Sequence, residues 1–177
     1  MATRSLLQQL SPSLLAAVRR ILGPRHPALE DVLQESLVAF MKALPQFRGE
    51  SNPRTYASSI AVRTALAHRR QASERRRWDA QHALQDRPLL AQPGSPEADV
   101  QRERRRSVLR ALLAELPLVQ AETFALRIVL QYSLEEVAEA TSAPVNTVRS
   151  RLRLAREALR ARIDGDPQLA GLFEDSP

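Results

Sequence analysis

The sequence predicts an all-α protein of two small helical domains, a helical bundle and a helix-turn-helix domain, joined by a flexible linker. Apolar residues recur at helical spacings over most of the chain. Aromatic residues make up only 4% of the sequence, whereas β-sheet proteins favour aromatic and β-branched side chains. Residues 88–96, which are rich in proline and glycine, interrupt the apolar period. A chain of 177 residues is long enough for two domains of this size.

Three helices are predicted in the first domain, residues 1–78. Pro12 is expected at the first position of helix one, after a serine cap, and Gly23 at its end. The second helix carries the clearest apolar stripe of the chain, between residues 29 and 44. Pro53 is expected to begin a third helix that runs towards a cluster of arginines.

From residue 71 onward, apolar residues no longer recur at helical spacing, and we predict a linker over residues 79–99. A fourth helix is expected over about 98–115, and a fifth follows before the helix-turn-helix. The second domain is assigned to residues 100–165. The acidic tail, residues 166–177, is expected to fray.

Residues 132–163 predict a helix, a tight turn and a second helix. Ser133 is a good N-cap, and Glu136 completes a capping box. The short first helix ends before Pro144. This order of elements is typical of a DNA-binding helix-turn-helix.

The second helix of this motif separates an apolar from a polar face. Val148, Leu152, Ala155 and Leu159 share the apolar face. Short polar side chains and arginines lie off that face, where they suit base edges and phosphates in a major groove. These predicted duplex-binding residues are Asn146, Thr147, Arg149, Ser150 and Arg153. A solvated basic face is the alternative, which the capped helix upstream disfavours.

The predicted second helix carries a polar, mostly acidic group: Glu30, Asp31, Gln34 and Glu35. A metal or catalytic cluster is disfavoured, because these residues lie on a presumed exposed face of a helix without histidine. A solvated face and a docking surface for a basic partner helix both remain open.

A basic strip follows, from the loop before the third helix into that helix. An arginine strip with an aromatic nearby suits a single strand whose bases stack. The candidate residues are Arg48, Arg54, Tyr56, Arg63, Arg69 and Arg70. A solvated helix end is the alternative for the last arginines. Phe47 is interpreted as core rather than as a stacking platform, and no role is assigned to Trp78.

The overall composition limits the classes of function that are expected of this chain. The formal net charge of +6 favours a polyanionic partner. The chain has no cysteine, its histidines show no ligand spacing, and no metal, cofactor or enzymatic activity is expected. No membrane-spanning run or signal peptide is visible, so we expect a soluble, cytoplasmic protein without membrane insertion.

Two segments together resemble the extracytoplasmic-function (ECF) sigma factors of bacterial RNA polymerase. Region two of that family is similar to residues 28–70 of this chain, which read ALEDVLQESLVAFMKALPQFRGESNPRTYASSIAVRTALAHRR. Region four is similar to residues 116–160, which read LPLVQAETFALRIVLQYSLEEVAEATSAPVNTVRSRLRLAREALR. This chain departs from the family pattern in having Ser142 where the turn commonly has glycine, and Tyr56 where tryptophan is usual.

The resemblance implies a promoter-recognition subunit that binds core RNA polymerase and promoter DNA. The acidic helix face would dock on the β′ coiled coil, and the β flap would be a further contact. The basic strip would capture the minus-ten element, and the second helix of the helix-turn-helix would read the minus-thirty-five element. An anti-sigma factor is a further candidate partner. A stand-alone helix-turn-helix regulator acting as a dimer is the alternative function.

Overall fold

The computed structural model describes residues 2–47, 49, 51–82 and 97–174, which are mostly helical and contain no β-strand. The helices are α1 (Ala2–Leu22), α2 (Leu29–Ala43), α3 (Pro53–His82), α4 (Glu97–Glu115), α5 (Leu118–Phe124), α6 (Leu134–Ala140), α7 (Val145–Asp164) and α8 (Pro167–Glu174). A 3-10 turn follows α2 at Leu44–Gln46, and a π-helical turn follows α5 at Ala125–Val129. The all-α prediction is therefore confirmed.

Helix α1 begins earlier than the sequence indicated. The expected start at Pro12 is wrong, since α1 begins at Ala2 and contains Pro12 in its interior. Proline removes one helical hydrogen bond there, and the Ser11 hydroxyl donates a separate bond to the Leu7 carbonyl at 2.7 Å. The preceding turn also carries Leu10, which is buried in the core, so packing outweighs the local stop signal.

The expected end of α1 is confirmed. Gly23 has φ +107°, a left-handed conformation that an L side chain rarely adopts. Its N–H donates to the Arg19 carbonyl at 2.9 Å and so closes the last turn.

The first three helices share one apolar core. Because apolar residues recur at helical spacing, each helix turns a continuous stripe towards the others. The buried side chains include Leu14, Val18 and Ile21 of α1, Val32 and Phe40 of α2, and Ala61, Val62 and Ala65 of α3.

Helix α3 extends past the point at which its apolar period ends. It continues through the arginines to His82 and therefore occupies the beginning of the predicted linker. Arginine has a high helix propensity, so a polar segment extends a helix that is already nucleated. The part of the linker at residues 83–96 lies outside the described residues.

The second half packs around α7. Leu113 of α4, Leu126 of the π-helical turn and Val137 of α6 are buried there, and α7 contributes the predicted apolar stripe. In the π-helical turn, the Leu130 N–H donates to the Ala125 carbonyl at 2.9 Å. Two residues after this wider turn, Gln131 has a φ of 63°.

Much of the predicted tail forms a helix where fraying was expected, and residues 175–177 lie outside the described residues. Residues Pro167–Glu174 make up α8. The Asp166 carboxylate accepts from the Gln168 N–H at 2.9 Å, and proline occupies the first helical position. Leu169 packs against the core, and the Arg105 guanidinium donates to the Leu172 carbonyl at 2.8 Å. The expectation of fraying was based on the acidic composition of the tail, which does not reveal these signals for the start of a helix.

The two halves are packed against each other. Helix α3 contacts α1 and α2, and it also contacts α4, α5 and α6 of the second half. Among the helices that the structure describes, none has the combined length and apolar character that crossing a membrane requires.

Candidate nucleic-acid interface

The capping box predicted at the start of the helix-turn-helix is present. The Ser133 hydroxyl accepts from the Glu136 N–H at 3.0 Å, and the Glu136 carboxylate accepts from the Ser133 N–H at 2.7 Å. These reciprocal bonds satisfy two N–H groups at the helix start. They fix the point at which α6 begins and so the entry into the turn.

The turn between α6 and α7 requires a left-handed residue. Ser142 has φ 50°, which a non-glycine residue adopts at a cost on the order of 1 kcal/mol. The Ala143 N–H donates to the Ala138 carbonyl at 2.9 Å, and α7 begins after Pro144. The sharp reversal lets α7 cross its partner helix and leaves one face of α7 open.

Helix α7 has the two faces that the sequence predicted. Val148, Leu152, Ala155 and Leu159 are buried. On the opposite side the predicted duplex-binding residues are exposed, apart from one that is half-buried. The exposed residues are Asn146, Arg149, Ser150 and Arg153, and Thr147 is half-buried.

Weak local contacts hold the polar face of α7. Arg149 donates to the Asn146 side-chain oxygen at 3.2 Å, and Arg153 pairs with Glu157 at 2.8 Å. Exposed pairs of this kind stabilise little. A phosphate or a guanine edge can therefore replace these partners at small cost.

The acidic group on α2 lies on the surface. Glu30, Asp31, Gln34 and Glu35 are all exposed, as predicted. The opposite face of the same helix buries Val32, Ser36 and Phe40. Across the described part of the chain, no three acidic, histidine or cysteine side chains are grouped so as to hold a metal ion.

The beginning of the predicted basic strip is partly open. Arg54 is exposed, and its backbone N–H donates to the Asn52 side chain at 2.9 Å. The half-buried Tyr56 ring lies 4.9 Å from the Phe47 ring and 6.3 Å from the Phe40 ring. Tyr56 therefore joins the edge of the core and remains partly exposed. Arg48 lies outside the described residues.

The remaining arginines of the strip contact other helices. Arg63 pairs with Glu122 of α5 at 2.7 Å. Arg69 donates to the Leu22 carbonyl at 3.1 Å. Arg70 donates to the carbonyls of Ala114 and Leu116 at the end of α4. The structure thus places these arginines on α3 as predicted, with protein groups as their present partners.

Burial shapes the electrostatics around α3. Burial raises the pKa of Glu122, whereas the hydrogen bond and charge of Arg63 and the charge of Arg151 lower it. Burial, together with Arg110 and Arg76, lowers the pKa of Arg69 to about 10, which leaves its guanidinium charged at neutral pH.

Sequence reasoning missed Glu122. It lies on a short helix between the buried Ala121 and Phe124, and its own side chain is buried. A carboxylate next to apolar residues that face the core was the available signal, because an acid is rarely buried without a partner.

Comparison with known proteins identifies the family. Region 2 of the sigma-70 family matches residues 6–75, and region 4 matches residues 106–159. The chain belongs to the sigma-70 family, in its ECF subfamily. This sigma factor is 33% identical over 147 residues to RNA polymerase sigma-H factor of Pseudomonas aeruginosa, covering 76% of this chain and 73% of the relative. It is 31% identical over 139 residues to ECF RNA polymerase sigma-E factor of Escherichia coli K12, covering 75% and 72%.

Solved structures share the fold of this sigma factor. The sigma factor RpoE of Bartonella quintana, crystallised with the anti-sigma factor NepR, aligns with a TM-score of 0.53 at 20% identity over 98% of both chains. CnrH, solved with the cytosolic domain of CnrY, aligns with a TM-score of 0.54 at 20% identity, covering 93% of this chain and 89% of that chain.

Membership decides between the two functions considered for this sigma factor. Its family supports promoter-specific transcription initiation together with RNA polymerase. The region 2 match disfavours a stand-alone dimeric regulator, because that function gives the first domain no role beyond dimerisation.

Proposed function

We propose that this sigma factor docks on core polymerase through α2, reads the minus-thirty-five duplex with α7 and captures the minus-ten strand along α3. The observation that carries the proposal is the division of α7 into a buried apolar stripe and an exposed face of asparagine, serine and arginine. That face suits the major groove of a duplex.

Duplex reading is assigned to Asn146, Thr147, Arg149, Ser150 and Arg153. Arginine can bind a guanine edge with two hydrogen bonds, and asparagine can do the same with adenine. Arg149 lies one turn after Asn146, and a hydrogen bond joins the two side chains. The side chains on one turn of α7 can therefore contact adjacent base pairs.

Strand capture is assigned to the basic strip: Arg48, Arg54, Tyr56, Arg63, Arg69 and Arg70. Unstacking a base costs a few kcal/mol, which aromatic stacking and phosphate contacts offset. The exposed Arg54 and the half-buried Tyr56 lie less than one turn apart at the start of α3. A splayed base can rest against the ring while the arginine holds its phosphate.

Docking on core polymerase is assigned to Glu30, Asp31, Gln34 and Glu35, with the β′ coiled coil as the partner helix and the β flap as a further contact. An exposed acidic face favours a basic partner surface. We also propose an anti-sigma factor as a partner, because the sigma factor RpoE of Bartonella quintana, which shares this fold, was solved with one. The polymerase forms the phosphodiester bond, so this chain needs no catalytic residue. We place its function, transcription initiation with the polymerase, in the cytoplasm.

The test separates the two DNA-reading parts. With core polymerase present, Arg149→Ala should weaken duplex affinity by about 1–3 kcal/mol if Arg149 reads a guanine. Tyr56→Ala should impair open-complex formation and leave duplex binding nearly intact. The Arg156→Ala variant, also exposed on α7 but outside the assigned set, is the matched control for lost positive charge. If Tyr56→Ala lowered duplex affinity and Arg149→Ala changed only opening, the assignment would be wrong.

A further inference from the structure

A cleft lies where the end of α1 meets α4 and the π-helical turn. Its volume is about 480 Å³, and small-molecule sites in proteins usually have volumes of about 300–1,000 Å³. Ile21 and Leu113 line its inner side, and each is 1% exposed. The half-buried Leu109 and Val129 extend this apolar base. The cleft therefore has the size and the apolar base of a ligand site.

Arginines provide most of the polar lining of the cleft. Arg19 and Arg20 lie in the last turn of α1, and Arg106 and Arg110 lie one turn apart on α4. Glu103 is the only carboxylate among the described residues that line the cleft. The lining therefore carries an excess of three positive charges, which attracts anions.

Arg110 is held in a defined position. Its side chain is 12% exposed, and its guanidinium donates to the Arg20 carbonyl at 3.1 Å and to the Glu103 carboxylate at 2.8 Å. A side-chain carbon added at Gly23 would lie 3.3 Å from that guanidinium, so the glycine leaves room for it. Because protein contacts already order Arg110, binding an anion costs it little further conformational entropy.

Hydrogen bonds also join the walls of the cleft. The Arg20 guanidinium of α1 donates to the Val129 carbonyl of the π-helical turn at 2.7 Å. The bond from Arg110 to the Arg20 carbonyl connects α4 to the same point of α1. The cleft is therefore largely preformed, as small-molecule sites usually are.

A further arginine lies behind the cleft. The Arg69 guanidinium of α3 donates to the carbonyl of Leu22, next to Gly23, at 3.1 Å. Within the described part of the chain, its buried Nε has no hydrogen-bond partner. Burial, followed by the charges of Arg110 and Arg76, lowers the pKa of Arg69 to about 10, which shows that these guanidiniums repel one another. An anion bound beside Arg110 would relieve that repulsion.

A solvated basic surface and a site for a nucleic-acid backbone are the alternative explanations of this cluster. A solvated surface does not account for Arg110, which is mostly buried and lies beside a glycine. A backbone offers phosphates alone and leaves the apolar base at Ile21 and Leu113 without a partner. The combination of a cationic rim with an apolar base favours a small molecule that has both kinds of group.

We propose that this cleft binds a phosphorylated small molecule with an apolar or aromatic body, of the nucleoside diphosphate class. Its phosphoryl groups contact the four arginines, and its base rests on Ile21, Leu109 and Leu113. Two linked phosphoryl groups carry a charge on the order of −3 near neutral pH, which matches the excess of the lining. The proposal is independent of the assignment of helices to promoter elements, because the site shares no residue with them.

The first test measures ligand binding to the full chain. Isothermal titration calorimetry with ADP and with GDP is carried out at physiological ionic strength and without divalent cations. One saturable site is expected, with a Kd below about 1 mM for at least one of the two. Adenosine should bind at least about tenfold more weakly and pyrophosphate at least about threefold more weakly, since each offers half of the recognised groups. Failure of both nucleotides to bind, or equal affinity for pyrophosphate, would overturn the proposal.

The second test removes charge from the cleft. The double variant Arg19→Ala with Arg106→Ala, at two exposed positions, should bind the nucleotide at least about tenfold more weakly, because two charged contacts are lost. Arg156→Ala with Arg160→Ala, exposed on α7, removes the same charge outside the cleft and should bind within about threefold of the parent. An equal loss in both double variants would show general attraction of anions and overturn the proposal.

The third test locates the ligand and separates it from nucleic acid. Hydrogen exchange with the nucleotide present should slow at residues 19–24 and 103–113, the segments that line the cleft, and stay unchanged at residues 145–153 of α7. Protection of α7 alone would place the ligand elsewhere and reject the site. If the cleft variant lost affinity for a labelled single strand and kept its affinity for the nucleotide, the occupant would be a nucleic-acid backbone and the proposal would be wrong.

Discussion

Glu122 and Arg63 form an ion pair of 2.7 Å in which only the acid is shielded from water. The side chain of Glu122 is 2% exposed, whereas that of Arg63 is 55% exposed. Desolvation therefore acts on the carboxylate, and the solvated guanidinium offsets only part of it, so the pKa of Glu122 is raised. This asymmetry determines how the pair responds to pH and to mutation.

Removing the charge of Glu122 should stabilise the fold at neutral pH. A carboxyl group whose folded pKa lies above its unfolded value contributes stability below the unfolded value, and this is lost as pH rises through the folded pKa. Glu122→Gln does not undergo that loss. Its melting temperature should exceed the parent's at about pH 7, and the difference should vanish below the ordinary value of 4.5.

The exposed Glu157 provides the control for this experiment. Glu157→Gln also breaks an arginine pair, with Arg153, but its side chain is 58% exposed. No comparable stabilisation is expected from it. A Glu122→Gln variant that is less stable than the parent at neutral pH would show that the ion pair outweighs the desolvation.

Removing Arg63 should have the opposite effect. Arg63→Ala leaves a buried carboxylate without its partner, which should cost about 1–3 kcal/mol of unfolding free energy. The exposure of Arg63 keeps this below the cost of breaking a fully buried pair. Adding Glu122→Gln should recover most of the loss, as measured by urea unfolding of all four proteins. Additive effects in the double variant would show that the two side chains do not interact.

Ser142 is the site of a stabilising substitution. Because its φ is 50°, Ser142→Gly should raise the unfolding free energy by up to about 1 kcal/mol, with the greater freedom of glycine in the unfolded chain reducing the gain. Ser107→Gly, in the middle of α4, should instead destabilise by about 0.5 kcal/mol. Thermal unfolding distinguishes the two, and a destabilised Ser142→Gly would mean that the serine side chain stabilises the turn.

Local signals predicted the helix-turn-helix well. The capping box at Ser133 and the stripe from Val148 to Leu159 depend on residues close in sequence. Such signals are contained in a short stretch of chain. The end of α1 at Gly23 was predictable for the same reason.

Long-range contacts explain what the sequence did not reveal. Pro12 lies inside α1 because core packing of the preceding turn outweighs its local effect. The contact between Arg63 and Glu122 joins residues far apart in the chain, and no periodicity encodes it. Arginines on α3 were recognisable as anion binders, but their present partners depend on how the two domains meet.

The last prediction concerns the acidic face of α2. Charge reversal by Asp31→Lys and Glu35→Lys should weaken binding to core polymerase by about tenfold or more, because repulsion replaces attraction at a basic partner surface. Added salt should weaken the parent more than the variant, since exposed charges are screened. Affinity for core polymerase is measured without DNA, so that the basic surfaces do not contribute.

Two controls make this result specific. Glu74→Lys with Asp164→Lys changes the net charge equally on exposed positions of α3 and α7, and it should bind core polymerase like the parent. Asp31 lies in the first turn of α2, where a lysine opposes the helix dipole by about 0.3–1 kcal/mol. The neutral pair Asp31→Asn and Glu35→Gln reduces that effect and should still weaken binding, with helicity by circular dichroism unchanged. If both acidic-face variants bound core polymerase as tightly as the parent, the acidic face of α2 would be only a solvated surface.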